Sequence, residues 1–120
     1  MTQYFLTVPG DTAEEATLTS LREADPAELA ALVAAVGRVN SAMREAGAFV
    51  HAGGLQPPST AVTIDATGSE AERVPGPFAD ATHYVGGFWI IDVPDNEAAL
   101  GWAERCSAAA RSRIEVRALQ

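Results

Sequence analysis

Residues 85–93 read VGGFWIIDV and form the strongest strand pattern in the chain. The apolar side chains of Phe88, Trp89, Ile90 and Ile91 follow one another instead of alternating with polar ones, which is typical of a strand covered on both faces. Helices packed on one side of a sheet cover only one of its faces. We therefore expect a homodimer, in which the sheet of a second copy covers the other face.

The elements on either side of this strand follow from local patterns and turn signals. In chain order the sequence predicts a strand at 3–8, a helix at 26–46, strands at 48–55 and 61–66, a loop at 67–81, the strand at 85–93, a helix capped by Asp95 or Asn96, and a strand at 113–119. This order predicts an α+β fold of the ferredoxin-like, split βαβ type. In that fold one antiparallel sheet carries two helices on one face, and the strand at 61–66 is an extra hairpin strand. The chain is expected to be a single domain, residues 1–120.

Particular residues mark the limits of the first helix. Asp25 can accept a hydrogen bond from a free backbone N–H at the start of the helix, and Pro26 lacks an N–H that would need a partner there. Glu28 lies three residues after the cap and can reach back to it, as in a capping box. Gly47 suits the left-handed conformation that often closes a helix.

Composition and charge exclude several classes of partner. The 120 residues include 8 basic and 16 acidic side chains, a formal net charge of -8, which is the wrong sign for nucleic acid or an anionic membrane surface. No apolar run approaches the roughly 20 residues of a membrane span, and the N-terminus lacks the basic start of a signal peptide, so we expect a cytoplasmic protein. Cys106 is the single cysteine, and no spacing suggests a disulfide or a zinc site, so no metal or cofactor is expected.

Four segments of the chain, in order, resemble one branch of a known family. Residues 76–88 read GPFADATHYVGGF, which is similar to the signature of the DGPF, or DGPFAETKE, branch of the YCII-related family. Three further segments agree with that branch: AGAFVHAGGLQPPSTAVTI at 46–64, FWIIDVPDNEAALGWAERC at 88–106, and IEVRAL at 114–119. The resemblance implies a ferredoxin-like unit that dimerises through its sheets, a dimeric α+β barrel.

The chain departs from the family pattern at two places. Pro75 stands where the branch usually has the aspartate of DGPF, and the ETKE part of the motif is replaced by residues 80–83, DATH, in which Asp80 keeps a carboxylate. More distant YCII proteins are expected to use a histidine and an acid near the first helix. The matching positions here are Glu28 and the neighbourhood of Glu45, which argues against carrying over that mechanism.

The sequence offers three candidate catalytic residues. Asp80 precedes His83 by three residues in the predicted loop, close enough for a carboxylate to orient an imidazole for acid–base work; the alternative is a solvated surface pair. His51 lies in the second strand and could move protons in a pocket between sheet and helix; the alternative is a hydrogen-bonded, partly buried histidine. A ligand pocket is expected between the sheet and residues 67–84.

The remaining candidates have structural alternatives. Gly76, Pro77 and Phe78 could shape a ligand pocket, with the glycine at an unusual backbone angle and the phenylalanine pinning the loop to the core. Cys106 falls on the packed stripe of the second helix and is read as an inert core thiol. Trp89 and Trp102 are predicted to lie in the core. Glu28 and Asp92 are predicted to have structural roles, in the helix cap and in the turn after a strand.

Two functions of different class remain open. The first is a small enzyme that uses His83, Asp80 or His51 for acid–base chemistry on a small organic molecule, without a cofactor. The second is a non-catalytic dimeric module that binds a small ligand or serves as an accessory protein; the resemblance links the latter with extracytoplasmic sigma factors. A pocket holding a histidine and a carboxylate favours the first function, and a sheet–helix interface filled by side chains favours the second.

Overall fold

The structure, a computed structural model, describes residues 1–11 and 25–120. Its elements in chain order are β1 (Thr2–Asp11), α1 (Pro26–Glu45), β2 (Phe49–Gly54), a 3₁₀ turn (Pro58–Thr60), β3 (Val62–Asp65), β4 (Glu72–Pro75), β5 (His83–Val93), α2 (Asn96–Ala110) and β6 (Glu115–Ala118). Every predicted helix and strand is present. The strands β1 and β5 are longer than predicted, because they pair with each other along their whole length.

The main sheet has four antiparallel strands in the order β2-β5-β1-β6. This order is the ferredoxin-like arrangement, and it confirms the predicted fold class. The apolar strand β5 lies inside the sheet beside β1, where its backbone groups are paired on both edges. The shorter β2 and β6 form the edges.

One face of the sheet packs against both helices and forms the core. The strands contribute Tyr4, Leu6, Trp89, Ile91 and Val93, all at most 6% exposed. The buried positions of α2 are small, Ala99, Ala103, Cys106 and Ala109, while α1 contributes Val39 and Met43. These small side chains let α2 approach the sheet closely. The buried residues of both helices lie on the faces that pack against the sheet.

The other face of the main sheet, here called the open face, alternates with the core residues along each strand. Its rows follow from the strand register: Asp92 beside Gln3; His51, Ile90, Phe5 and Arg117 across the sheet; and Gly53, Phe88, Thr7 and Glu115 across the sheet. The rings of Phe5 and Phe88 are in contact, with centroids 5.6 Å apart. Both helices lie on the opposite side, so no described helix covers this face.

The Asp25 cap and the Gly47 end of α1 are as the sequence predicts. The Asp25 carboxylate accepts a hydrogen bond of 2.9 Å from the N–H of Ala27, and Pro26 is the first helical residue. Gly47, with φ of +73°, follows the last turn in the left-handed conformation. At α2 the choice between two caps is resolved, since Asp95 accepts from the N–H of Ala98 at 2.8 Å.

The prediction of one long loop at 67–81 is wrong in its middle. Residues Glu72–Pro75 form β4, which pairs with β3 in a separate two-stranded sheet. The turn is held by Asp65, whose carboxylate accepts from the Thr67 N–H at 3.0 Å and the Thr67 hydroxyl at 2.6 Å. These bonds lower the pKa of Asp65. The β4 stretch, ERVP, is short, charged and ended by a proline, so its pattern alone did not indicate a strand.

Candidate functional site

A cavity of about 540 Å³, here called the His83 cavity, lies at the end of the sheet where β5 begins. It is lined by Thr7, Pro9, His83, Tyr84, Val85, Arg113, Ile114 and Glu115. Pairing between strands places four of these residues on the open face, because Glu115 is opposite Thr7 and Val85 is opposite Pro9. Ile114 packs against the core on the other side. The cavity therefore combines an imidazole, a guanidinium and a carboxylate at one place.

The register of β5 explains how His83 reaches this cavity. The pairing of β1 and β5 shifts between Val8 and Pro9, so that Gly86 is a bulged residue without a partner. A Cβ at Gly86 would lie 3.3 Å from the backbone N of Gly10, so a glycine suits this close approach. His83 is the first residue of β5 and not part of the predicted loop.

The hydroxyl of Tyr84 holds the segment just before β5. It donates a hydrogen bond of 2.7 Å to the Ala79 carbonyl and accepts one of 2.9 Å from the Ala81 N–H. Asp80 lies between these two residues, is exposed, and is not among the residues that line the His83 cavity. His83 Nδ1 lies 3.0 Å from the Thr82 hydroxyl, and which atom donates depends on the imidazole tautomer.

Two charged residues of this cavity were not identified from the sequence. Arg113 and Glu115 belong to the segment at 113–119, which was predicted only as a strand. Their position beside His83 depends on the pairing of β6 with β1, between elements far apart in the chain. The apolar residues Ile114 and Val116 on either side of Glu115 are a signal that its side chain faces away from the core.

In the GPF segment, residues 76–78, the glycine has the predicted unusual backbone angle, but the phenylalanine does not contact the core. Gly76 has φ of +106°, a conformation that favours glycine, and its N–H donates to the Ala61 carbonyl at 2.7 Å. Its own carbonyl accepts from the Thr63 hydroxyl at 2.9 Å, which ties the segment to the hairpin. Phe78 is 91% exposed, so the expectation that it pins the loop to the core is wrong. The Tyr84 hydroxyl ties residues 79–81 to the start of β5.

His51 lies apart from both of the other candidate residues. It is exposed on the open face, where its ring centroid is 5.9 Å from that of Phe88. It does not line the space between the sheet and α1, because the register aligns it with Ile90 and not with the core residue Trp89. The structure therefore places its side chain on the opposite side of the sheet from the sheet–helix pocket expected for it.

A second cavity of about 540 Å³, here called the glycine cavity, lies between α1 and the sheet. Leu32, Val36 and Asn40 contribute one stripe of α1, and the sheet contributes a glycine-rich wall that includes residues 53, 54, 86 and 87. Its main polar feature is a hydrogen bond of 2.7 Å from the Trp89 indole N–H to the Asn40 side-chain oxygen. The sheet–helix interface is therefore not fully filled by side chains.

Cys106 is the one nucleophilic thiol of the chain, and it lies in the core. Its side chain is 0% exposed, and burial raises the pKa of the thiol from 9.0 to about 12. The structure agrees with the interpretation of an inert core residue.

We predict that Cys106 is alkylated only when the chain unfolds. A rise of about three pKa units lowers the thiolate fraction roughly 1000-fold at neutral pH, and only the thiolate reacts. The thiol loses its proton at a lower pH in the unfolded chain than in the folded one. Its contribution to the free energy of unfolding is therefore fully present below pH 9 and is lost as the pH rises toward 12. Mass spectrometry after iodoacetamide treatment, with and without urea, measures this; rapid labelling of the native chain would contradict it.

The described ranges, 1–11 and 25–120, hold neither a candidate metal site nor a membrane-spanning helix. Within them no three histidine, cysteine, aspartate or glutamate side chains are grouped so as to hold a metal ion. No helix in the same ranges is long and apolar enough to cross a membrane.

Comparison with known proteins identifies a family for almost the whole chain. The family model described as the YCII-related domain matches residues 12–120. A comparison with curated proteins finds none that matches this chain.

Proposed function

Because the chain belongs to the YCII-related domain family, we propose that it is a small enzyme that transfers a proton on a small organic anion held in the His83 cavity. The observation that carries the proposal is the presence of His83, Arg113 and Glu115 around one cavity. A histidine and a carboxylate at the same pocket are the features that favour acid–base chemistry over simple binding. The family assignment names no reaction, so the proposal depends on these side chains.

Two of these residues, Arg113 and His83, have a chemical role in the proposal. The guanidinium of Arg113 binds a carboxylate of the ligand, for which its paired N–H donors are suited. The neutral imidazole of His83 removes a proton from a carbon next to that carboxylate and returns it to the same or a neighbouring carbon. The electron pair of the broken C–H bond stays on the ligand until the proton returns, so no other reactant is needed. Neither Asp80 nor His51 lines the cavity, and we assign the proton transfer to His83.

A second candidate function is non-catalytic binding of a small apolar molecule in the glycine cavity. The observation that favours it is the largely apolar lining, with the Asn40 amide and the Trp89 indole as its polar groups. Pockets of this kind bind ligands by apolar contact, with a few polar groups fixing the orientation. The accessory module linked with sigma factors stays a hypothesis that neither cavity favours.

Small-molecule titration followed by NMR distinguishes the two functions. The chain has two histidines and two tryptophans, so the imidazole and indole signals form a short set of reporters. We predict that small carboxylates such as pyruvate and benzoate shift the signals of His83, while those of His51 and the Trp89 indole stay in place. His83→Gln and Arg113→Gln should each weaken carboxylate binding by about ten-fold, as loss of a charge-assisted hydrogen bond does. His51→Gln is the matched control and should bind as the wild type does.

Other outcomes of this titration identify the alternative or reject both. Shifts confined to the Trp89 indole and to α1 would favour binding in the glycine cavity and contradict the proton-transfer proposal. Carboxylate binding that is equally strong in His83→Gln and His51→Gln would show that His83 has no part in it.

Three finer assignments belong with this proposal. We propose membership of the DGPF branch from GPF at 76–78 and the segments around it, although Pro75 replaces the usual aspartate. We propose a cytoplasmic location, which suits a single cysteine, Cys106, that is buried as a free thiol. We also propose that the protein is a homodimer.

A further inference from the structure

The glycine cavity exists because the sheet lacks side chains at this place. Gly54 of β2 lies opposite Gly87 of β5, two residues along from the pair Ala52 and Trp89, whose side chains pack on the core face. Because side chains alternate along a strand, positions 54 and 87 face α1 as well, but neither carries a side chain. The space between them and the helix is therefore left open.

The sheet side of this cavity is a flat wall of backbone. It is formed on two neighbouring strands by the glycines at 53, 54, 86 and 87. The polar backbone groups of the wall are used within the sheet; the Leu55 N–H, for example, donates to the Gly86 carbonyl at 2.8 Å. Glycine inside a strand often marks a place where a ligand approaches the backbone closely. Bare peptide planes favour a flat ligand, which contacts them over its whole face.

The helix side adds apolar side chains, Leu32 and Val36, and one amide, Asn40. The Asn40 side-chain oxygen accepts the hydrogen bond from the Trp89 indole, and because an indole N–H can only donate, this bond fixes the orientation of the amide. The N–H₂ group of Asn40 is therefore turned away from Trp89, and no described residue accepts a hydrogen bond from it. The cavity offers a ligand this one hydrogen-bond donor.

The charge of the lining excludes an ionised ligand. None of the described residues that line the glycine cavity is charged, although the chain has 8 basic and 16 acidic residues. An ionised group would lose its water here without gaining an opposite charge, which is unfavourable. The His83 cavity differs in this respect, since Arg113 lies in its wall. The two cavities are therefore suited to ligands of different charge.

We propose that the glycine cavity binds a neutral, planar aromatic molecule that bears a carbonyl oxygen. The ring lies on the glycine wall, and the carbonyl oxygen accepts a hydrogen bond from the Asn40 N–H₂ group. An acceptor is required because the free group of Asn40 only donates, and the uncharged lining requires it to be neutral. The inference names the ligand class of the second candidate function, on which it rests, and is independent of proton transfer at His83.

The test compares three small probes by NMR titration. Acetophenone has both the ring and the carbonyl, ethylbenzene has a similar shape without the oxygen, and cyclohexyl methyl ketone has the carbonyl on a thicker ring. The Trp89 indole signal reports binding, and the signals of Trp102, His51 and His83 are internal controls, because none of these residues lines the glycine cavity. We expect acetophenone to shift the Trp89 signal, leave the controls in place, and bind more tightly than cyclohexyl methyl ketone.

Asn40→Asp tests the hydrogen bond, because it keeps an oxygen for the Trp89 indole and removes the N–H₂ donor. The affinity for acetophenone relative to that for ethylbenzene should fall by about ten-fold in this variant, since the carbonyl then has no donor in the cavity. The ratio of the two affinities cancels any effect that the substitution has on both ligands. An unchanged ratio would overturn the inference.

Gly54→Val tests the position of the ligand. A Cβ at Gly54 would face α1 and lie 3.8 Å from the Gly86 carbonyl oxygen, which is ordinary contact, so the added side chain fills part of the cavity. It should weaken the binding of acetophenone by about ten-fold or more, because the ligand loses the wall that buries it. Gly68→Val is the matched control, since a Cβ there meets nothing within 4 Å, and it should bind as the wild type does.

The remaining outcomes separate this inference from the proposed function. Acetophenone binding at Trp89, together with carboxylates that leave the His83 signals unchanged, would support the inference and contradict the proposed proton transfer. Carboxylate binding at His83 without any shift of Trp89 by acetophenone would overturn the inference and leave the proposed function intact. Cyclohexyl methyl ketone that binds as tightly as acetophenone would overturn the aromatic ligand class.

Discussion

Replacing Trp89 by alanine is expected to lower the free energy of unfolding by about 3–5 kcal/mol, the usual cost of removing a large buried aromatic side chain. Trp89 is 5% exposed and packs between the central strand and the helices. Its indole N–H donates to Asn40, so the substitution also leaves the amide oxygen of Asn40 without this donor in a partly buried place. Urea unfolding followed by circular dichroism measures the loss.

Trp102→Ala is the matched control for this prediction. Trp102 is the other tryptophan of the chain, is half-buried on α2, and carries the guanidinium of Arg105 4.6 Å from its ring centroid. Its replacement should cost clearly less, because solvent can enter the space it leaves. Equal losses for the two tryptophans would show that the core does not centre on Trp89.

Ile91→Ala is expected to lower the free energy of unfolding by about 2–5 kcal/mol. Its side chain is 0% exposed and lies in the same core cluster as Leu6 and Met43, so the missing atoms leave a cavity that rigid neighbours cannot fill. Ile91→Val should cost only about 0.5–1.5 kcal/mol, since it removes a single methylene. Denaturant unfolding of the three proteins at one concentration gives the comparison.

Ile90→Ala provides the control at the adjacent residue. Ile90 is half-buried and points to the open face, so its loss should affect stability less within one chain. If the open face binds a second copy, the effect should grow with protein concentration, because only the dimer loses that contact. An Ile90→Ala cost equal to that of Ile91→Ala at every concentration would contradict the assignment of the two faces.

The two helices and the strands other than β4 were predicted from the sequence, although the full lengths of β1 and β5 were not. Asp25 caps α1, Asp95 caps α2, and Gly47 closes the first helix in the left-handed conformation. Each of these features depends on residues within a few positions of one another, so short patterns contain the information. The apolar run in β5 likewise predicted a strand, because β-favouring apolar residues in direct succession are typical of a buried strand.

Part of the candidate site could be recognised in the same way. His83 was identified as a candidate, and the need for glycine at position 76 followed from its place in a turn before a proline. The proposed role of Phe78 failed because an aromatic residue next to a proline does not reveal which way the loop carries it. Tyr84 was missed for the same reason, since its hydroxyl matters only where the folded loop brings Ala79 and Ala81 to it.

Tertiary structure alone decided which distant residues share a cavity and which face each one occupies. The pairing of β6 with β1 brings Arg113 and Glu115 to His83, and the bulge at Gly86 sets the side of the sheet on which His83 lies. The same register leaves His51 on the open face and makes a strand of residues 72–75. Strand pairing depends on contacts between segments that are remote in the sequence. A shift of the pairing register by one residue moves every side chain of a strand to the other face of the sheet. The local pattern that predicts a strand therefore does not predict which strands lie beside it.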